Sequence, residues 1–417
     1  MRPIGHILAF AFLFLVGTLL PGSTLADDRS LFAARRGIGV VQTFMFPAAD
    51  PSSRETYAAD PYRPGWNETM PPARLVELRQ AGFDFLRIAI DPGPLLEADQ
   101  GRRAQLVGQI EAAVGTTLDN GLAAVVDVHP SVSHPRWNFK RLTADPKGEA
   151  FARLLDVEQA LARMLTRFDP ARVALEVFNE PPPPCQWRDR PDWPDQLDRI
   201  VTSVRAVAPR LTLLVAGACW AAPRALVRLD PARFDNHTLF VFHFYEPFVF
   251  THQGFWGSDK YLTAVPPLAF PPDRPVRDAT IAAVQNRLHA DAGIPAADRA
   301  QQIREASKKL ATYFDQDQGP TFIDAEMDKV ARWADASRIP RERIMLGEFG
   351  AMKDIYDKQG APPADRARWI ETTRKAAEQA GFRWSAWALT NTMGIVTGDL
   401  GGPLDPEILH ALGLRAP

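Results

Sequence analysis

The chain has 417 residues, 46% of them apolar and 24% charged, with a formal net charge of −2. This is the balance of a soluble globular protein with a large core, and it excludes a disordered or low-complexity chain. No basic block is present, so neither nucleic acid nor an anionic membrane surface is an expected partner.

The first segment reads as an export signal rather than as part of the fold. Arg2 and His6 precede an apolar run from Ile7 to Leu20, which gives way to Pro21, Gly22 and Ser23. That run has the length of a signal-peptide core and is short for a membrane span. Small residues at Thr24-Leu25-Ala26 place cleavage after Ala26; an uncleaved anchor is the alternative. A periplasmic or extracellular location is expected. No later segment is apolar enough to span a bilayer, so no membrane contact is expected after cleavage.

Arg36 to Phe44 reads as a first strand opened by glycines, and Pro47 to Met70 as a loop. Pro71 to Gly82 has Pro at its start, apolar residues at helical spacing and a terminating Gly, and reads as a helix. Strands then alternate with helices. The strands are Phe83–Ile90, Leu122–His129, Val173–Pro181, Leu211–Gly217, Thr238–Tyr245, Arg343–Gly350 and Phe382–Leu389. The helices are Arg103–Asn120, Glu149–Phe168, Pro194–Ala208, Ala222–Leu229, Thr321–Ala336, Pro363–Gly381 and Pro406–Leu412. Residues 246–319 are too long for one connection and form an insertion over the rim, with a helical stretch near Asp298 to Phe314. Strict alternation implies a parallel sheet, and eight repeats imply closure into a (β/α)8 TIM barrel with a long insertion after strand six. An open doubly wound sheet is the alternative, and the lack of a glycine-rich phosphate loop after the first strand argues against it. Residues 27–417 are thus expected to form a single domain.

Two strand ends carry the chemistry. VALEVFNEP (Val173 to Pro181) is a β-branched and aromatic run that stops at Asn179-Glu180-Pro181, because proline cannot continue a ladder. RIMLGEFG (Arg343 to Gly350) repeats the layout and ends in Gly347-Glu348. Two such glutamates can form the acid and nucleophile pair that glycosidic bond cleavage needs. A parallel barrel gathers chemistry at the C-terminal ends of its strands. Arg87, His129, His243, Tyr245 and Trp387 all fall toward that same rim. Glu176 faces the opposite pleat from Val177 and receives no role.

Taken together, these residues resemble the family 5 glycoside hydrolases, the cellulase-type clan. The resemblance runs from Arg36 to Leu414 and rests on Asn179-Glu180-Pro181, Gly347-Glu348-Phe349-Gly350, the segment His243 to Gly254, and the ending Met393 to Leu414. It implies Glu180 as acid/base and Glu348 as nucleophile in a double displacement that retains configuration. It implies that Arg87 and Tyr245 support the Glu348 carboxylate, that Asn179 reaches a sugar 2-hydroxyl, and that His129 and His243 bind sugar hydroxyls or orient Glu180. Trp387 would be a stacking floor. His252, Trp256, Trp137 and Trp220 lie just beyond strand ends, where further sugar subsites would be. The implied substrate is an internal β-1,4 link of cellulose-like or mixed-linkage glucan, cut by a monomer without a metal or organic cofactor. Other β-glycans, transglycosylation, and glycan binding on an inactive barrel are the rival readings. Two positions depart from the family: Gly39 follows Ile38 where many members carry Asn, and Pro130 follows His129 where relatives often have a second polar residue. Both bear on substrate choice. Cys185 and Cys219 follow adjacent strands, and whether they are bridged is left open by the sequence.

Overall fold

A computed structural model describes residues 31–182, 185, 193–255, 259–356, 358–398 and 401–417. The expected signal segment, residues 1–26, and Trp256 lie outside the described residues. Eight parallel strands close into a barrel: β1 Arg36–Val40, β2 Phe85–Ile90, β3 Ala123–Val128, β4 Val173–Glu176, β5 Thr212–Ala216, β6 Thr238–His243, β7 Ile344–Glu348 and β8 Arg383–Ala386. Each strand pairs with its neighbours in sequence, and β1 closes the ring by pairing with both β2 and β8. This is the (β/α)8 barrel that the alternation predicts.

The strands are apolar on both faces because helices cover the outside and side chains fill the inside. Leu86, Ile88 and Ile90 of β2 face outward into the main core, as do Ala124, Val126 and Val128 of β3. The alternate residues Phe85, Val125, Ala174, Leu214, Val241 and Met345 form a separate core inside the barrel. Phe32 packs edge-on against Phe85, with ring centroids 5.3 Å apart, and joins this inner core. The two-residue period continues upward along the same inner face. It therefore puts Arg87, Asp127 and Glu176 inside the barrel above the apolar layer.

Two local features went beyond the sequence reading. A small antiparallel hairpin, Ala49–Asp50 with Ser53–Tyr57, stands within the expected loop at 47–70. In the insertion, a helix at Arg277–Ala290 packs against the anticipated one, which spans Ala296–Asp315. Cys185 and Cys219 are joined, with Cα atoms 4.5 Å apart, so the loops after β4 and β5 are tied together. Among the described residues, no helix is long and apolar enough to cross a membrane.

Candidate active site

Arg87 is fully buried inside the barrel and organises the site. Its Nε and Nη2 donate to Oε2 and Oε1 of Glu176 at 2.6 and 2.8 Å. Its Nη1 donates to Oε1 of Glu348 at 2.6 Å, and Nη2 also donates to Oδ1 of Asn179 at 2.7 Å. Oδ2 of Asp127 lies 3.1 Å from the same Nη2. Burial alone would weaken the guanidinium's hold on its proton. Asp127, Glu176 and Glu348 override that and push it well above its ordinary value.

Glu348 is buried at the end of β7 and has both oxygens engaged as acceptors. Oε2 takes the Tyr245 hydroxyl proton at 2.7 Å, while Oε1 takes Arg87. Burial, followed by the charge of Glu348, pushes the Tyr245 phenol well up, so it serves as a donor. A carboxylate, rather than a carboxylic acid, is the form that matches two donors.

Glu180 sits in a contrasting setting. Its side chain is 27% exposed, against 4% for Glu348, so it is the more open of the two carboxyls. Burial pushes it up to about 7, against the pull of His129 and Arg87. Its backbone has a φ of 43°, in the left-handed region that a glutamate adopts only when its surroundings impose it. Next door, the carbonyl of Pro181 accepts from the Trp220 amide at 3.0 Å. Strand β4 itself ends at Glu176, earlier than the apolar run suggests, and the turn that follows aims Glu180.

His243 bridges the pair. Its Nδ1 lies 2.9 Å from Oε1 of Glu180 and 3.5 Å from Oε2 of Glu348. Burial pushes the imidazole down to about 4, so it is neutral at neutral pH. Gly347 makes this approach feasible: a Cβ there would lie 2.4 Å from Val241 Cγ2 and 3.1 Å from His243 Nε2. Oxygens of the two glutamates and His243 Nδ1 all lie within 4.8 Å of one another. Among the described residues this is the one group of His, Cys, Asp or Glu compact enough to take a metal ion. A cation placed there would displace the hydrogen bond between His243 and Glu180.

Trp387 lies just past the end of β8 and is partly exposed. The His129 ring is stacked on it, with centroids 5.6 Å apart and planes 11° apart. Gly39 makes room, since a Cβ there would fall 2.6 Å from Trp387 Cε3. The Gly that departs from the family pattern thus borders this indole. Of the outlying aromatics, Trp137 is 4% exposed and belongs to the core, which removes it as a sugar platform. His252 packs on Phe248, with ring centroids 3.8 Å apart, whereas Trp220 is 38% exposed.

Two residues of the cluster were missed by the sequence reading. Glu176 holds Arg87 by two hydrogen bonds, and Asp127 touches both Arg87 and His129. The signal was present in each case: a charged residue inside an otherwise apolar run of the sequence, on the same inward parity as Val125 and Ala174. Burial pushes Asp127 up to about 7; Arg87 pulls the other way and the charge of Glu180 adds to the rise.

A family model described as Cellulase (glycosyl hydrolase family 5) matches residues 66–393. Endoglucanase 3 of Fibrobacter succinogenes is 22% identical over 240 residues, covering 58% of this chain and 32% of the relative. Endoglucanase C of Acetivibrio thermocellus is 25% identical over 188 residues, covering 44% and 53%. The chain thus spans between a third and about half of the length of these relatives. Among solved structures, the cellulose synthase subunit Z of Clostridioides difficile aligns with a TM-score of 0.62 at 20% identity, covering 91% of this chain and 99% of that one. Cel5A of Thermotoga maritima in complex with cellobiose gives 0.62 at 18%, covering 93% and 99%. Likenesses at this identity establish the barrel.

Proposed function

The chain belongs to glycosyl hydrolase family 5, and from that premise we propose that it is an exported, retaining endo-β-1,4-glucanase acting on cellulose-like or mixed-linkage glucan. Glu180 is the acid/base. It protonates the leaving oxygen and then activates water. Glu348 is the nucleophile and forms the glycosyl-enzyme ester. Asn179 contacts the sugar 2-hydroxyl, His129 and His243 line the sugar or orient Glu180, and Trp387 is the stacking surface. The protein works as a monomeric barrel domain spanning residues 27–417, in the periplasm or outside the cell, after loss of residues 1–26.

The observation that carries this reading is the asymmetric carboxyl pair. Glu348 has both oxygens accepting hydrogen bonds, while Glu180 is pushed up to about 7 and opens to solvent. Their oxygens come within 4.8 Å, which suits direct attack at the anomeric carbon. Inverting enzymes hold their carboxyls about 6.5–9.5 Å apart to admit a water. The endoglucanase names of the two relatives support the substrate class.

The test is a panel of soluble β-glucans, mannan and xyloglucan, assayed for new reducing ends and product length. Fastest internal cleavage of β-1,4-glucan supports the proposal. Preference for mannan or for β-1,3 links overturns the specificity, products longer than the donor indicate transfer, and binding without turnover overturns the enzymatic reading. Glu348→Gln should abolish cleavage.

A further inference from the structure

Arg87 has only N–H donors, and this fixes a chain of hydrogen bonds that the proposed reaction does not by itself require. Nη2 of Arg87 lies 2.7 Å from Oδ1 of Asn179, so that amide atom must be the oxygen. The Asn179 nitrogen then faces Nε2 of His129 at 3.1 Å, and Nε2 must be bare to accept. The imidazole proton therefore sits on Nδ1, which lies 2.8 Å from Oδ2 of Asp127. Asp127 is fully buried, and the same oxygen faces Arg87 Nη2 at 3.1 Å. Its other oxygen, Oδ1, is buried with no hydrogen-bond partner among the described residues. A proton held by Asp127 would have to sit on Oδ1, which leaves the accepting role of Oδ2 intact.

We propose that Asp127 is a positioning residue that locks His129 as the neutral Nδ1–H tautomer and thereby fixes which way round the Asn179 amide sits. The lock is closed at both ends. Were the proton on Nε2, two donors would face each other across 3.1 Å. Turning the amide over would instead aim its NH2 at Arg87 across 2.7 Å. Either arrangement strands a buried donor, which is costly in a space closed to water. Asp127 supplies the acceptor that makes Nδ1–H the favourable end. Removing it strands the Nδ1 proton, so the intact relay loses its advantage over the reversed one, in which the stranded donors are those between Asn179 and Arg87.

The consequence for catalysis rests on the function proposed above. With the relay intact, Asn179 commits its oxygen to Arg87 and one N–H to His129. The remaining N–H is left for a sugar hydroxyl. With the relay reversed, the amide presents the wrong atom to a contact that strengthens at the transition state. The loss should therefore appear in kcat and leave KM nearly unchanged.

The experiment is ring 15N spectroscopy of His129 in the full chain labelled with 15N-histidine, together with kinetics of variants. The wild type should show a protonated Nδ1 and a bare Nε2 between about pH 6 and 8. In Asp127→Leu the proton should move to Nε2, kcat should fall about 10–100-fold, and KM should stay within about threefold. Adding Asn179→Ala to that variant should cost little more, because the residues act as one unit. Asp127→Asn keeps an accepting oxygen and should restore the Nδ1–H pattern. A wild-type His129 protonated on Nε2, or on both nitrogens at about pH 7, overturns the inference. So does Asp127→Leu with unchanged tautomer and kcat, or a fully additive double variant. Should Asp127→Leu fail to fold, the wild-type and Asp127→Asn spectra decide. The spectra need no substrate, so a failure of the glucanase reading and a failure of the tautomer lock are separately visible.

Discussion

Replacing Arg87 with lysine keeps one positive charge and should nevertheless damage the protein severely. Arg87 makes five close contacts: two with Glu176 and one each with Glu348, Asn179 and Asp127, all between 2.6 and 3.1 Å. Asp127 Oδ2 keeps the His129 Nδ1–H, and a lysine ammonium has three donors on one atom, so at least one of the other four acceptors loses its partner. Each stranded buried acceptor costs about 1–3 kcal/mol, so the lost stability is at least about 1–3 kcal/mol. Urea denaturation of parent and variant, compared at equal slope, reads this directly. Hydrolysis should fall as well, since the lysine cannot hold Glu348 and Asn179 at the same time. A variant within about 0.5 kcal/mol of the parent and close to full activity would refute the reasoning. It would mean that the contacts of Arg87 are not coupled to the fold or to the site.

Three further outcomes follow from the same structure. Glu180 must carry a proton to act as an acid, and burial pushes it up to about 7. Activity should therefore be lost as pH rises through about 7, and Glu180→Gln should abolish the turnover of unactivated glucan whose basic limb it sets; a basic limb unrelated to Glu180 contradicts the assignment. Glu158, on the helix Glu149–Leu165, is fully buried and neither of its oxygens has a hydrogen-bond partner among the described residues. Glu158→Met should stabilise the fold by about 1–3 kcal/mol in urea denaturation at neutral pH. Burial, followed by the Asp127 charge, pushes this carboxyl well above 4.5. The folded chain therefore holds the proton more tightly than the unfolded chain. The stability that Glu158 permits is complete below about pH 4.3 and is lost as pH rises toward the folded value. The gain from methionine should accordingly be larger at pH 8 than at pH 5, and an equal gain at both would contradict this account.

Much of the barrel was legible because each strand is a short apolar run bounded by turn residues, and a fully buried parallel strand has no other appearance. The strand-end glutamates were legible for the same reason: a carboxylate closing an apolar run stands out. Asp127 and Glu176 were harder because each lies inside an apolar run of the sequence rather than closing it, and only the inward parity shared with Val125 and Ala174 separates a site residue from an oddity. The helix Arg277–Ala290 was hidden because its buried residues, Thr280, Val284 and Leu288, form a sparse stripe that begins with a threonine. Trp137 looked like a sugar platform from its place beyond a strand end. Sequence position cannot tell which side of a loop an indole faces, and here it faces the core. The hairpin at 49–57 came from a stretch rich in Pro, Asp and Ser, where turn residues outnumber strand formers.

The central claim is that Glu348 attacks the anomeric carbon while Glu180 serves the leaving group. It is met most directly by trapping the ester with a 2-deoxy-2-fluoro-β-cellobioside that bears a good leaving group. The fluorine slows release, and Glu180 is not needed to expel so good a leaving group. Intact-mass and peptide analysis should find one fluorocellobiosyl unit attached to Glu348. Label on Glu180 or elsewhere, or no label from protein that cleaves glucan with inverted configuration, would contradict it.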